Sequence, residues 1–340
     1  MPEQVPASEA DAPDALQRIV GDAATVGMPA DAATMEFSAV AAGPEIKRRT
    51  RGLGLAAWLS IAWMVFVVGG ALLAPYLPID DHREIVTNIA RRGPLAEAGS
   101  APGHLLGGDG NGRDMLARLL WGGRTTLLVA TLAVLFGFVL GGVLGLIAGY
   151  FRGKTDTVVS LVLDVFLSIP AVILALALVT ILRAQPGTGT EGTNVGLDPT
   201  VSLIVAIGIV SVPVLGRITR ASTLSWSQRE FVLAAKAQGA KHRRILVREV
   251  LPNVLPAMYS IALLGIAVAI VAEGTLAILG ASVPADTPTW GNMIALGRTH
   301  LAVAPHIVFE PAIMIFLTVL SLNMLGDAIR SHFDVREGGL

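Results

Sequence analysis

The sequence predicts an all-α protein that crosses a membrane six times, and three observations predict it. Charged residues make up only 15% of the 340, against about 25% in ordinary soluble domains. The 53% hydrophobic content is aliphatic, because aromatic residues supply only 5%. Six segments also offer the roughly 20 apolar residues that a bilayer crossing needs, at about 53–74, 125–150, 157–182, 200–216, 254–280 and 308–327. The same composition excludes an ordinary soluble enzyme. The absence of cysteine excludes disulfides, cysteine-ligated metal and thiol catalysis. A net charge of −1 gives no footprint for nucleic acid, so no nucleic-acid partner is expected, whereas membrane lipid is.

Residues 1–46 hold eight acids against one arginine, with no sustained apolar period. They predict a disordered acidic tail. The run Lys47-Arg48-Arg49-Thr50-Arg51 abuts the first span and reads as an inside anchor, because cytoplasmic flanks collect Lys and Arg. Short loops agree: 151–156 carries Arg152 and Lys154, and 217–252 carries eight Lys and Arg. Both termini are expected inside.

The region 47–120 comprises the first span and a long outer loop. The loop closes with Arg113-Asp114-Met115-Leu116-Ala117-Arg118-Leu119-Leu120-Trp121, whose helical period and terminal tryptophan predict a short interfacial helix. Gly107-Gly108-Asp109-Gly110-Asn111-Gly112 lacks the ligand spacing of a calcium loop. The region 121–335 carries the other five spans. In the second, Gly137, Gly141, Gly145 and Gly149 recur every four residues, a smooth stripe suited to close backbone packing. Its end, Gly149-Tyr150-Phe151-Arg152-Gly153-Lys154-Thr155, imitates a phosphate loop. It has three residues between its glycines where that loop has four, and it joins two spans rather than a strand and a helix. The chain has no nucleotide site of its own. Residues 184–199, with Gly187, Gly189, Gly192 and Gly196, read as a flexible outer loop.

Ionisable groups inside spans are expensive and point to function by default. Asp164, Glu273 and Glu310 are therefore candidates to line a translocation path. The six histidines are scattered and suggest no metal site. No internal repeat or paired broken helix is expected, which weighs against a secondary transporter. The sparse polar inventory weighs against a membrane enzyme. A plain membrane anchor leaves one segment unexplained, the inside loop 217–253. That loop reads as a charged helix from Glu230, a break at Gly239, a second short amphipathic helix and a stop at Leu251-Pro252 before span five. Two short helices hinged at a glycine suit docking to a cytoplasmic partner.

The loop resembles the EAA loop of permease subunits of binding-protein-dependent ABC importers, through Ala234, Ala235, Gly239, Leu251 and Pro252. More narrowly, the chain is similar to the C-type permease of the dipeptide, oligopeptide and nickel importers over about residues 50–336. The similarity extends to His104–Asp109 with Gly112–Asp114, Asp164 through Pro170, Pro288-Thr289-Trp290-Gly291, and Leu322–Asp327 with Phe333-Asp334. It implies the type I ABC importer permease fold in a bacterial plasma (inner) membrane. It also implies a homologous second permease, two ATP-binding subunits that hold ATP and Mg, and an extracytoplasmic solute-binding protein. Contact with the ATPases would fall on Glu230, Ala234, Ala235, Gly239, Ala240, Leu251 and Pro252, and Pro170 would join Asp164 along the path. One departure stands out: Leu233 occupies the place of the motif glutamate, and Glu230, one turn earlier, is the nearest acid. Di- or oligopeptides, nickel chelates and other small solutes all remain open as cargo.

Overall fold

The first membrane helix, α1 (Leu55–Leu73), is apolar on nearly every face, as a lipid-bathed helix must be. The computed structural model describes residues 54–79, 81–94, 104–183 and 196–337, without the side chains of 87 and 331–337. The acidic tail, the basic run at 47–51 and Gly187, Gly189 and Gly192 lie outside the described residues. Those described are nearly all helical. Among the described residues, five helices are long and apolar enough to cross a membrane, or six if a bent pair counts as one span.

The second helix, α2 (Met115–Phe151), runs 37 residues, about 55 Å at the α-helical rise. It starts where the Asp114 carboxylate accepts the Ala117 N–H at 2.7 Å, satisfying one of the orphan donors of a helix start. The expected interfacial helix is therefore the first turns of α2. Met115 and Leu119 are buried in the cluster around Trp290 and Arg118 against Asp109, and nothing in the sequence between them and the span breaks a helix. The chain reverses at Arg152 and Gly153, both at positive φ (53° and 57°).

The third apolar segment, about 157–182, is not one helix. α3 (Gly153–Ser168) and α4 (Ala171–Arg183) meet at 92°. Pro170 lacks an N–H and disfavours helical backbone at the residue before it, and Ile169 is accordingly extended (φ −90°, ψ 129°).

The fourth span, α5 (Pro199–Trp226), is longer than hydropathy suggests because it runs past Arg217 and Arg220. The first part of the expected inner loop is thus helical. The glycine stripe of α2 lies along α5. A Cβ on Gly145 would sit 2.8 Å from the Arg220 backbone nitrogen, and one on Gly149 would sit 2.6 Å from the Arg220 carbonyl oxygen. The stripe is a packing surface, with backbone against backbone.

After α6 (Glu230–Ala237), the helix α7 (His242–Ile245) passes through a π-helical turn (Leu246–Val250) into α8 (Leu251–Ile278). Pro252 does not stop a helix, as expected above; it sits in the first turn of α8, directly after the π turn, and the helical path continues through it. A short helix, α9 (Trp290–Gly297), lies between α8 and α10 (His306–Glu337). Apolar side chains form three clusters. The largest joins α2, α4, α5 and α8 around Val129, Leu203 and Ile270. A second surrounds Trp290 at the outer end, and a third lies under α6 and α7.

Candidate functional site

The inner element is built on a buried seam. Val232 of α6 and Ile245 of α7 are fully buried, and they pack with Leu146 and Tyr150 of α2 and Val254 and Met258 of α8. Tyr150 Oη lies 3.0 Å from His242 Nδ1, and the Lys236 ammonium sits over the Tyr150 ring at 5.4 Å. The joint between the helices is a Schellman turn. The Ala240 N–H donates to the Ala235 carbonyl at 3.1 Å and the Gly239 N–H to the Lys236 carbonyl at 3.0 Å. This geometry demands the left-handed φ of +74° found at Gly239. Glu230, Leu233 and Ala234 are exposed and share one face of α6 at i, i+3 and i+4. Leu233 is 54% exposed, an apolar side chain presented outward. Ala235, Ala240 and Leu251 are half-buried, and Pro252 is exposed.

A second constellation lies between α3 and α5. Asp164 Oδ1 accepts from Arg217 Nη2 at 2.5 Å, with 57% and 58% of the two side chains exposed. Eight residues earlier on α3, Asp156 takes Arg220 through both carboxylate oxygens. Hydrogen bonding to Arg217 and Arg220 was missed in the sequence because both arginines were assigned to a loop. The available signal was their three-residue spacing, opposite two aspartates at an eight-residue spacing on the preceding helix. Pro170 lies beyond Asp164 at the break, where Ser168, Ile169 and Pro170 are all exposed.

At membrane depth this face would be incompatible with hydrocarbon on two independent grounds. A charged pair within a span avoids lipid, and exposed non-helical backbone there is tolerated only against protein or water. Asp164 is about 16 Å along α3 from its start, and Arg217 about 14 Å along α5 from its end.

Glu273 and Glu310 do not join that face. Glu273 is fully buried. Its Oε1 accepts from Ser282 Oγ and Thr289 Oγ1, each at 2.8 Å. Thr289 Oγ1 in turn accepts the Asn292 N–H at 2.9 Å, capping α9. The next residue, Trp290, donates its indole N–H to the Leu119 carbonyl at 2.9 Å. Gly122 and Gly123 make room for its ring. Glu273 fastens the outer segment after α8 and reaches no open face. Glu310, near the start of α10, has both carboxylate oxygens buried without a hydrogen-bond partner among the described residues. The outer loop is closed by Arg118, whose Nε is 3.4 Å from Asp109 and whose guanidinium donates to the His82 and Ala285 carbonyls. Burial holds the His82 imidazole below its ordinary pKa, against the opposing pull of Asp81. No group of three or more potential metal ligands is present among the described residues.

Residues 141–338 match the family described as binding-protein-dependent transport system inner membrane component. A dipeptide transport system permease protein of Alkalihalophilus pseudofirmus is 36% identical over 264 residues, covering 78% of this chain and 80% of that one. A glutathione transport system permease protein of Pectobacterium atrosepticum is 34% identical, covering 69% and 74%. A di/tripeptide transport system permease protein of Pseudomonas aeruginosa is 33% identical, covering 81% and 86%. Among solved structures, the inward-facing MetNI methionine ABC transporter shares the fold. One of its chains superposes with a TM-score of 0.53 at 20% identity, covering 64% of this chain and 97% of that one. The family match and the three permease relatives, each at least 33% identical across most of the chain, place it among the inner-membrane components of binding-protein-dependent transport systems, to which it belongs.

Proposed function

We infer that this chain forms half of the membrane path of an ATP-driven importer of di- or oligopeptides. A related second permease supplies the other half, and an extracytoplasmic binding protein delivers cargo. Two cytoplasmic ATPases, which hold ATP and Mg, dock on the inner element. In this reading the protein resides in a bacterial plasma membrane with both termini inside, and the EAA loop lies within the five-helix region 121–335. The observation that carries it is the glycine-hinged pair α6–α7, seated on buried Val232 and Ile245 while Glu230, Leu233 and Ala234 face outward. A docking element needs one anchored face and one free face, and it needs a partner that binds one conformation more tightly than another. The names of the peptide-permease relatives support the cargo class.

Asp164 and Pro170 belong to the path in this reading, because their face excludes lipid. Glu273 does not, since it is fully buried and its Oε1 is held by Ser282 and Thr289. Leu233 replaces a charged contact with an apolar one, so the ATPase surface opposite it is apolar. The test is reconstitution of the four-subunit complex with its binding protein in liposomes. Peptide uptake should require both ATP and the binding protein. Uptake driven by an ion gradient without ATP would refute the reading in favour of a secondary transporter.

A further inference from the structure

The two ion pairs between α3 and α5 are built differently. Asp156 engages Arg220 through both oxygens, also accepts from Ser160 Oγ at 3.2 Å, and is largely shielded along with its partner. Asp164 engages Arg217 through a single oxygen and a single nitrogen. Among the described residues no other hydrogen bond reaches either group, and more than half of each side chain is open. The first pair is fixed. The second is exchangeable, because a solvent-screened ion pair contributes little and opens readily.

What could replace it follows from the chemistry of the surroundings. A single ion would satisfy one member and strand the other. A small zwitterion satisfies both: an ammonium on Asp164, and a carboxylate on the forked N–H groups of Arg217. Leu161 and Leu167, one turn to either side of Asp164 on α3, are exposed and apolar, which suits the side chains of a short peptide. We propose that the Asp164–Arg217 pair is a substrate subsite in the path, opened by a peptide whose free amino and carboxyl termini take its two charges. The proposal rests on the import reading above and adds a residue, Arg217, that determines which cargo passes.

The assembled transporter with its binding protein in liposomes provides the test. Uptake is measured for one zwitterionic dipeptide, its C-terminal amide and its N-acetyl derivative, and read as ratios within the same preparation, which cancels yield and the binding protein's own preference. Arg217→Gln should lower the zwitterion-to-amide ratio about tenfold, and Asp164→Asn the zwitterion-to-acetyl ratio by a similar factor. Arg217→Lys should fall between wild type and Arg217→Gln, since the cation remains but the fork is lost. Wild-type ratios in both neutral variants would overturn the subsite while leaving import intact. A wild-type complex that takes up no peptide would overturn the import reading itself. In parallel, Asp164→Cys in this cysteine-free chain should react with a hydrophilic thiol reagent in the assembled complex, and peptide should protect it. An unreactive thiol in that variant would mean that the partner chain, rather than water, covers this face, and would also overturn the subsite.

Discussion

Replacing Gly239 isolates the hinge from everything else in the fold. Its φ is +74°, and a Cβ placed there meets no heavy atom within 4 Å. The penalty is therefore backbone strain alone, without a clash inside the chain. Left-handed backbone costs an L residue roughly 1–2 kcal/mol, with β-branched side chains at the upper end and Asn well below it. Gly239→Val should then lower the equilibrium constant of the native turn roughly 30-fold, for about 2 kcal/mol, which is the upper bound on the loss of its population. Gly239→Ala should lower that constant about fivefold, and Gly239→Asn less. If ATPases bind only the native turn, their apparent Kd rises by the same factor as the competent fraction falls. The assay is titration of the ATPase subunits onto permease in nanodiscs, paired with peptide-stimulated ATP hydrolysis. Insertion and expression should match wild type, because the spans are untouched. Equal ATPase affinity for the Val and wild-type chains would refute the coupling role of this loop. Equal loss with Asn and Val would show that bulk, not φ, matters.

Gly145→Leu should destabilise the fold by about 3 kcal/mol, because α5 backbone atoms already occupy the space of its Cβ; a thermal-unfolding assay in detergent would show a lower Tm, and an unchanged Tm would contradict the packing. Glu273→Ala strands two buried hydroxyl donors and should cost about 3 kcal/mol, whereas Glu273→Gln keeps an acceptor and should cost about 1 kcal/mol; proteolysis of the 282–292 segment reports the difference. Because burial depresses the His82 pKa in the folded state, the unfolded chain takes up the proton first. Stability should therefore be full above the ordinary histidine value of 6.5 and fall as pH drops toward the lowered one, and His82→Phe should flatten that acid limb of the unfolding curve. Cysteines replacing Lys154 or Lys241 should resist an impermeant thiol reagent in intact cells while one replacing Gly189 reacts; outside labelling at 241 would invert the topology.

Much of the frame was legible because it follows from periodicity and transfer energy. Apolar runs marked each span, the four-residue glycine repeat marked the α2–α5 seam, and Gly239 between two charged stretches marked the hinge. Hydropathy cannot see direction, however. The window 157–182 is apolar on both sides of Pro170, so the break at 92° leaves no trace in it. Boundaries failed where charge intrudes into helix: Arg118 looked amphipathic because two of its partners, His82 and Ala285, are far away in sequence. Glu273 looked like a path residue for the same reason, since Ser282 and Thr289 lie beyond the end of its helix. A charge inside a span announces that it has a partner. It does not announce whether that partner is water, cargo or the chain itself.

The unbroken passage from α7 through the π turn into α8 has a mechanical consequence. From His242 to Ile278 the chain is one continuous 37-residue helical stretch, about 55 Å long, entered through the glycine turn at Gly239. A displacement of the inner end is carried as tilt or axial slide to the far end, where Glu273 grips the segment that seats Trp290. The neighbouring α3–α4 path has an elbow in the middle and cannot transmit thrust in this way. The chain thus contains a pushrod beside a knee. Within the rod, the π turn at Leu246–Val250 and Pro256 are where the regular helical hydrogen-bond ladder is interrupted, so any bend in the linkage would centre there.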